Sequence, residues 1–216
     1  MRASNVYIGN IVLNVTIVNM DTRTYHHGDL RAALSKAALA LIRELGAEAL
    51  TLREVARRSN VSHTALYRHF RDKEDLVAAI AEEGFGILGR EMRRAGEAKG
   101  TARKRLVLGG RAYVAFALRR PEHFKVMFST DLDAKRHPDA RKAADEAFAG
   151  LVALVTACQE AGQLRAGHTL TLARVAWSQV HGIASLAIGR QFAFKTQTEV
   201  LAFTEEAIGT VIAGLS

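Results

Sequence analysis

The stretch Thr51–Phe70, TLREVARRSNVSHTALYRHF, decides the fold of this chain. Thr51 begins a short helix with a capping box, and Ser62 caps a second helix. The turn between them needs a residue that tolerates a positive φ, and Asn60 is the next best choice there after glycine. Because Ala56 is small, the two helices can cross closely. This spacing predicts a helix-turn-helix motif.

The second helix of such a motif presents one face to the major groove of DNA. The Ser62 cap leaves the first N–H groups of this helix pointing outward, towards phosphate. The side chains expected to face base edges or phosphates are His63, Thr64, Tyr67, Arg68 and His69. The alternative interpretation is a pair of ordinary amphipathic helices with a polar outer face.

Along most of the remaining chain, apolar residues recur at three- and four-residue steps, which is typical of amphipathic helices. A first helix is predicted from Leu30 to Gly46 with Asp29 as its N-cap, and a fourth helix is capped by Asp72. After a break at 96–100, further helices are predicted at about 102–119, from 121, and at about 139–162, 169–190 and 198–214.

Together these elements predict an all-α fold of about nine helices. Residues 20–70 form an N-terminal three-helix helix-turn-helix DNA-binding domain. Residues 71–216 form a helical ligand-binding and dimerisation domain, which begins with a linker helix from Asp72. The formal net charge of +8 suits a polyanionic partner. The single Cys158 cannot form an internal disulfide, and no Cys/His cluster has zinc-ligand spacing, so neither a metal nor a cofactor is expected and a reducing cytoplasm is indicated.

The first nineteen residues differ from the rest because β-branched residues dominate them. Their apolar run is too short and too polar for a membrane span. Two interpretations stay open. Residues 1–19 are either a disordered or edge-pairing tail, or translated upstream sequence in front of a true start at Met20.

The segment from Tyr25 to Leu88 resembles the DNA-binding domain of the TetR family. The resemblance rests on Tyr25–Leu30, on the helix-turn-helix, and on Arg71–Leu76, with Tyr67 and Lys73 among the signature positions. It implies a three-helix DNA-binding head, a fourth helix that links the head to the core, and a two-fold dimer. The further DNA contacts expected on this basis are Tyr25, His26, Thr51, Arg53, Ser62 and Lys73.

Farther along, Trp177, His181 and Gly182 resemble the Trp-His-Gly signature of the WHG-type C-terminal subgroup of that family. Trp177 and His181 lie four positions apart, on one helix face. They either line a ligand cavity or pack in the core, and Gly182→Trp is expected to fill such a cavity. The full set of candidate ligand contacts is Phe85, Phe116, Phe124, Met127, Phe128, Trp177 and His181.

Dimerisation is expected through the last two helices. The apolar residues expected at that interface are Ala176, Val180, Ile183, Ala184, Ala187 and Ile188, followed by Val200, Phe203, Ala207, Ile208, Val211 and Ile212. The alternative is that these two helices complete the core of one chain.

The resulting functional hypothesis is a cytoplasmic bacterial repressor. As a homodimer it binds an inverted-repeat operator in double-stranded DNA, and a small apolar or aromatic effector releases it. A constitutive DNA-binding protein without a ligand is the alternative. An enzyme is not expected, because no pattern of nucleophile and base, metal cluster or phosphate-binding loop is found.

Overall fold

The computed structural model describes residues 6–8, 11–13, 27–129 and 133–214. Within these residues the fold is helical apart from one hairpin, in which β1 (Val6–Ile8) pairs antiparallel with β2 (Ile11–Leu13). The helices are α1 (His27–Leu45), α2 (Leu52–Arg58), α3 (His63–Tyr67), α4 (Lys73–Gly96), α5 (Ala102–Arg119), α6 (Pro121–Ser129), α7 (Pro138–Glu160), α8 (Thr169–Ile188) and α9 (Gln197–Gly214), with a 3-10 turn at Ala47–Ala49. The predicted all-α fold of about nine helices is confirmed.

The ends of the predicted helices agree with the observed ones to within a few residues, and one of the differences is at the start of α1. This helix begins at His27, so Asp29 lies inside its first turn and the predicted N-cap at Asp29 is wrong. At the other end, Gly46 adopts a φ of 86° and stops α1, as predicted.

The turn between α2 and α3 is a Schellman motif. Asn60 adopts a φ of 52°, the positive value that the sequence predicted. The Asn60 N–H donates to the Arg57 carbonyl at 3.3 Å, and the Val61 N–H donates to the Ala56 carbonyl at 3.0 Å. These two bonds satisfy carbonyls that the end of α2 would otherwise leave unpaired, and they fix the direction in which α3 departs.

Helices α1 to α3 form a small head domain around its own apolar centre. The residues with essentially no exposure there include Leu34, Leu41, Val55, Leu66 and Phe70. Helix α4 closes this centre with Leu76 and Ile80, both fully buried, and then continues into the second domain. There it packs most extensively on α7 and α5. The hydrophobic core is therefore continuous from the head into the second domain, and α4 runs through both parts.

The core of the second domain contains half of the twelve apolar residues of α8 and α9 that were expected at the dimer interface. Those buried within the chain are Val180, Ile183, Ala184, Val200, Ile208 and Ile212. The prediction that these residues line a dimer interface is therefore wrong, because α5 packs against both helices and covers this face. Among the described residues, no helix is both long and apolar enough to cross a membrane.

A substitution at Asn60 tests the strain of the helix-turn-helix turn. We expect Asn60→Ala to lower the free energy of unfolding by about 1 kcal/mol, because a residue with a Cβ pays roughly 1–2 kcal/mol in the left-handed region and asparagine pays less than most. Asn60→Gly should be as stable as the parent or more so. Denaturant unfolding measures both variants, with the exposed Lys36→Ala as a control. An Asn60→Ala variant as stable as Asn60→Gly would contradict this account.

Candidate DNA-binding and ligand-binding sites

The outer face of α3 carries the candidate base-reading residues. His63, Thr64 and Arg68 are exposed, and the Tyr67 side chain is 52% exposed. The His63 and Tyr67 rings lie 6.4 Å apart, one turn from each other on the same face. The opposite side of α3 is anchored by Leu66, which is fully buried. The helix is thus fixed from behind, and its polar side chains remain available to a partner.

Capping hydrogen bonds set where α2 and α3 begin. The Thr51 hydroxyl accepts from the Glu54 N–H, and the Ser62 hydroxyl accepts from the Ala65 N–H, both at 3.2 Å. Both predicted caps are present. Arg53 and Lys73 are exposed, while His69 is half-buried. Tyr25 and His26, the two remaining candidates for DNA contact, lie outside the described residues.

Ion pairs hold α2 against α1 and engage two of its arginines. Glu54 accepts from Arg57 at 2.6 Å and from Arg58 at 3.0 Å, and these hydrogen bonds lower the pKa of Glu54 to about 2. Arg58 also pairs with Glu44 of α1. The positive charge that these arginines add to the head is therefore partly neutralised within the head itself.

A second ion network joins the loop before α7 to the first turn of α4. Arg136 pairs with Glu74 at 2.5 Å, with Asp75 at 3.2 Å and with Asp72. Asp72 is also the N-cap of α4, accepting from the Asp75 N–H at 3.0 Å. That backbone hydrogen bond, together with the one from Arg136, lowers the pKa of Asp72. The pKa of Asp75 is also lowered, chiefly by its hydrogen bond with Arg71. The start of α7 is thereby tied to the point where the head passes into α4.

The second domain contains a groove of about 430 Å³ between α4, α5, α6, α7 and α8, here called the central groove. This volume lies in the range of small-molecule sites. A wider cleft of about 640 Å³ between α1, α4 and α7 is lined mostly by charged side chains, which suits an apolar ligand poorly. The central groove is instead mainly apolar, and its lining residues are Phe85, Leu88, Met92, Tyr113, Phe128, Arg141, Ala144, Asp145, Ala147, Phe148, Leu151, Arg174 and Trp177.

A smaller pocket of about 330 Å³, here called the α6–α8 pocket, lies on the other side of Phe128. Its lining residues are Phe124, Lys125, Phe128, His181, Ser185, Ile188 and Gly189. Phe128 lines both spaces, and its ring centroid lies 4.7 Å from that of His181 and 6.2 Å from that of Trp177. The two spaces are therefore neighbours with one aromatic ring between them.

Three polar side chains form a hydrogen-bond chain beneath these aromatic rings. The Trp177 indole N–H donates to the Tyr113 hydroxyl oxygen at 3.2 Å, and that hydroxyl lies 2.9 Å from His181 Nδ1. Burial raises the pKa of Tyr113 well above its ordinary value, so this side chain stays neutral. Burial also lowers the pKa of His181. The chain is thus uncharged at neutral pH.

The candidate ligand contacts divide into two groups. Phe85, Phe128 and Trp177 line the central groove, and Phe124 and His181 line the α6–α8 pocket with Phe128. Phe116 and Met127 are buried in the core and line neither space. Sequence reasoning missed Tyr113 and Phe148, whose helices bring them to Trp177 from distant parts of the chain.

Gly182 does not face the cavity. Gly182 lines neither the central groove nor the α6–α8 pocket, and a Cβ placed on it would meet nothing within 4 Å. The expectation that Gly182→Trp would fill the ligand cavity is therefore wrong. The helix turns by about 100° per residue, and this puts Gly182 on a different face from its neighbour His181.

Two family models match the chain. Residues 34–80 match the bacterial regulatory proteins of the tetR family, and residues 106–211 match the tetracyclin repressor-like C-terminal domain. The second match includes the Trp-His-Gly residues. A helix-turn-helix head on a helical second domain defines the class, a DNA-binding transcriptional regulator. Within that class, the chain belongs to the TetR family.

Solved structures share the whole architecture. A protein of unknown function from Rhodococcus sp. RHA1 is 33% identical, with a TM-score of 0.74 over 89% of this chain and 98% of its own. A tetR-family regulatory protein from Rhodococcus RHA1 is 20% identical, with a TM-score of 0.71 over 86% of this chain and 96% of its own. FadR from Bacillus subtilis, in complex with stearoyl-CoA, is 15% identical, with a TM-score of 0.71 over 86% of this chain and 99% of its own.

Removing Arg136 tests how strongly α7 is tied to α4. We expect Arg136→Met to lower the midpoint of thermal unfolding more than Arg141→Met, because Arg141 pairs with Asp145 within a single helix. Arg136, by contrast, pairs with carboxylates that lie more than 60 positions away from it in the sequence.

The difference in unfolding midpoint between Arg136→Met and Arg141→Met should depend on pH. Because the pKa values of Asp72 and Asp75 are lowered, their stabilisation is present while both carboxyls are ionised and is lost as acid protonates them. The deficit of Arg136→Met should therefore shrink as the pH falls into the acidic range. Calorimetry at several pH values measures it, and equal midpoints for the two variants at neutral pH would contradict the role of Arg136.

Proposed function

We propose that this TetR-family regulator is a repressor that binds an inverted-repeat operator as a homodimer and is released by a small apolar or aromatic ligand. One observation carries the proposal. The exposed face of α3 and the aromatic central groove are joined by the single helix α4, whose first turns lie in the head and whose Leu88 and Met92 line the groove. Because bacterial DNA lies in the cytoplasm, a protein that binds an operator would act there.

The chemistry of the central groove supports a mainly apolar ligand. Its walls are aromatic and aliphatic, and its few polar groups are the kind that orient a ligand. FadR, a protein of the same fold, forms a complex with stearoyl-CoA, which carries a long acyl chain. A ligand can release DNA only if it prefers the conformation that binds DNA poorly. Leu88 and Met92 of α4 give it a direct contact through which that preference could act on the head.

The outward faces of α8 and α9 support a dimer. Val175 and Leu186 are each 43% exposed on α8. Gly182 of α8 and Gly209 of α9 both open to space where a side chain would meet nothing within 4 Å. Glycine at such positions lets a partner helix approach closely. A two-fold pair would place two α3 helices roughly 34–36 Å apart, one turn of DNA, which an inverted repeat requires.

Substitutions on α3 test DNA binding. We expect Tyr67→Ala to weaken binding to all DNA sequences, since phosphate contacts position the protein without reading sequence. His63→Ala should reduce the difference in binding free energy between operators that differ at one base pair. The expected change is roughly 1–3 kcal/mol, the usual contribution of a base contact. Electrophoretic shift titrations measure both.

The exposed Arg165→Ala, in the loop between α7 and α8, serves as the control. If Tyr67→Ala and His63→Ala both bind the operator with unchanged affinity and preference, the assignment of α3 as the recognition helix is wrong.

A bulky residue at Gly182 tests the dimer. Gly182→Trp should convert the dimer into a monomer at micromolar concentration and weaken binding to the inverted repeat, because the indole would separate the two α8 helices. Gly150→Trp is the matched control, since Gly150 of α7 also opens to space. Sedimentation measures the mass, and circular dichroism checks that helicity is retained. A dimeric Gly182→Trp variant, or a monomeric parent protein, would rule out this interface.

A further inference from the structure

The α6–α8 pocket combines aromatic walls with hydrogen-bond donors and lacks acidic side chains. Its walls are Phe124 and Phe128, and its polar side chains are Lys125, His181 and Ser185. None of its lining residues is an aspartate or a glutamate. Lys125 is exposed and forms no ion pair with any residue that the structure describes. The pocket therefore offers positive potential and hydrogen-bond donors. The Glu122 carboxylate that interacts electrostatically with Lys125 does not line the pocket and is itself paired with Arg43.

The hydrogen-bond chain beneath the pocket determines which nitrogen of His181 carries the proton. The Trp177 indole N–H can only donate, so the Tyr113 oxygen is its acceptor. Tyr113 is 3% exposed, and its own proton needs a partner. His181 Nδ1, at 2.9 Å, is that partner and must accept. A neutral imidazole whose Nδ1 accepts carries its proton on Nε2.

His181 Nε2 points towards accessible space. It makes no hydrogen bond with any described residue, yet it does not belong to the buried side-chain atoms that lack a partner, which are Nε2 of His123 and Nε2 of His137. His181 Nε2 therefore reaches accessible space, and the α6–α8 pocket is the space that His181 lines. The pocket thus contains a fixed N–H donor whose direction is set from behind by two other side chains.

We propose that the effector is an apolar carboxylate, whose carboxylate oxygen accepts a hydrogen bond from His181 Nε2–H in the α6–α8 pocket while the Lys125 ammonium supplies the counter-charge. The apolar part of the molecule extends past the Phe128 ring, which lines both spaces, towards Leu88 and Met92 in the central groove. This inference rests on the proposed function, because it names the chemical class of the ligand that releases the operator. Tyr113 is a positioning residue for the carboxylate: it holds the His181 tautomer and is not itself the donor to the carboxylate oxygen.

The test compares decanoate with 1-decanol on the full-length protein. Trp177 is the sole tryptophan of the chain, and its N–H belongs to the hydrogen-bond chain, so its fluorescence reports binding. We expect decanoate to bind at least about tenfold more tightly than 1-decanol, because a hydrogen bond to a charged acceptor is about twice as strong as a neutral one. Operator release, followed by an electrophoretic shift, should show the same preference.

Variants locate the preference in the α6–α8 pocket. Lys125→Gln and His181→Phe should each reduce the ratio of decanoate to decanol affinity towards one, whereas His181→Gln, which keeps an N–H donor, should retain part of it. Tyr113→Phe should lower the ratio without abolishing decanol binding, because it frees the tautomer of His181 and leaves the apolar walls intact. Lys99→Gln, at another exposed lysine, should leave the ratio unchanged. Lys125 is exposed, so its variant remains informative even if His181→Phe fails to fold.

The possible outcomes distinguish a failure of the carboxylate assignment from a failure of the apolar-ligand proposal. If both probes bind and release the operator with equal affinity, the carboxylate assignment is overturned and the apolar-ligand proposal stands. If decanoate is preferred but Lys125→Gln and His181→Phe keep that preference, the assignment to the α6–α8 pocket is overturned. If neither probe binds or releases DNA at concentrations below its solubility limit, the carboxylate class and the apolar-ligand proposal both fail.

Discussion

The continuity of α4 is the constraint on which the rest of this molecule depends. The helix runs without a break over 24 residues, which is about 36 Å at 1.5 Å per residue. Its first turns close the apolar centre of the head with Leu76 and Ile80, and its later turns line the central groove with Leu88 and Met92. Because a packed helix moves as a unit, neither end can shift without a response at the other. The structure thus couples the two domains through one rigid element rather than through a flexible linker.

Polar interactions fix the helix positions and side-chain orientations that hydrophobic packing alone would leave variable. The apolar contacts of α4 with α7 are not directional, and they would tolerate small sliding movements of one helix on the other. Arg136 removes that freedom at the head end by holding three carboxylates of the first turn of α4. In the second domain, the buried Tyr113 hydroxyl would be costly without partners, so Trp177 and His181 keep a defined orientation around it. The result is a second domain with defined positions for its few polar groups.

Sequence patterns succeeded best where the governing interaction lies within four residues, although the cap predicted at Asp29 was wrong. The caps at Thr51, Ser62 and Asp72 are present, and Asn60 has the positive φ that its turn requires. The Trp-His-Gly motif drew attention to Trp177 and His181, both of which line ligand-sized spaces, but it could not separate them from Gly182, which faces outward. Phe116 and Met127 were chosen for their size alone, and size does not distinguish a cavity wall from a packed core.

The sequence by itself determined the helices, the caps of α2, α3 and α4, the helix-turn-helix and the family, because each of these is encoded by short-range spacing. Only the tertiary structure decided which apolar faces of α8 and α9 are buried within one chain and which remain open. It also brought Tyr113 to Trp177 and His181 across 64 and 68 positions, and Arg136 to Asp72 across 64. These pairs depend on how the helices of the second domain pack on one another and on α4. Such packing is the outcome of the summed burial of many side chains, and no local pattern contains it.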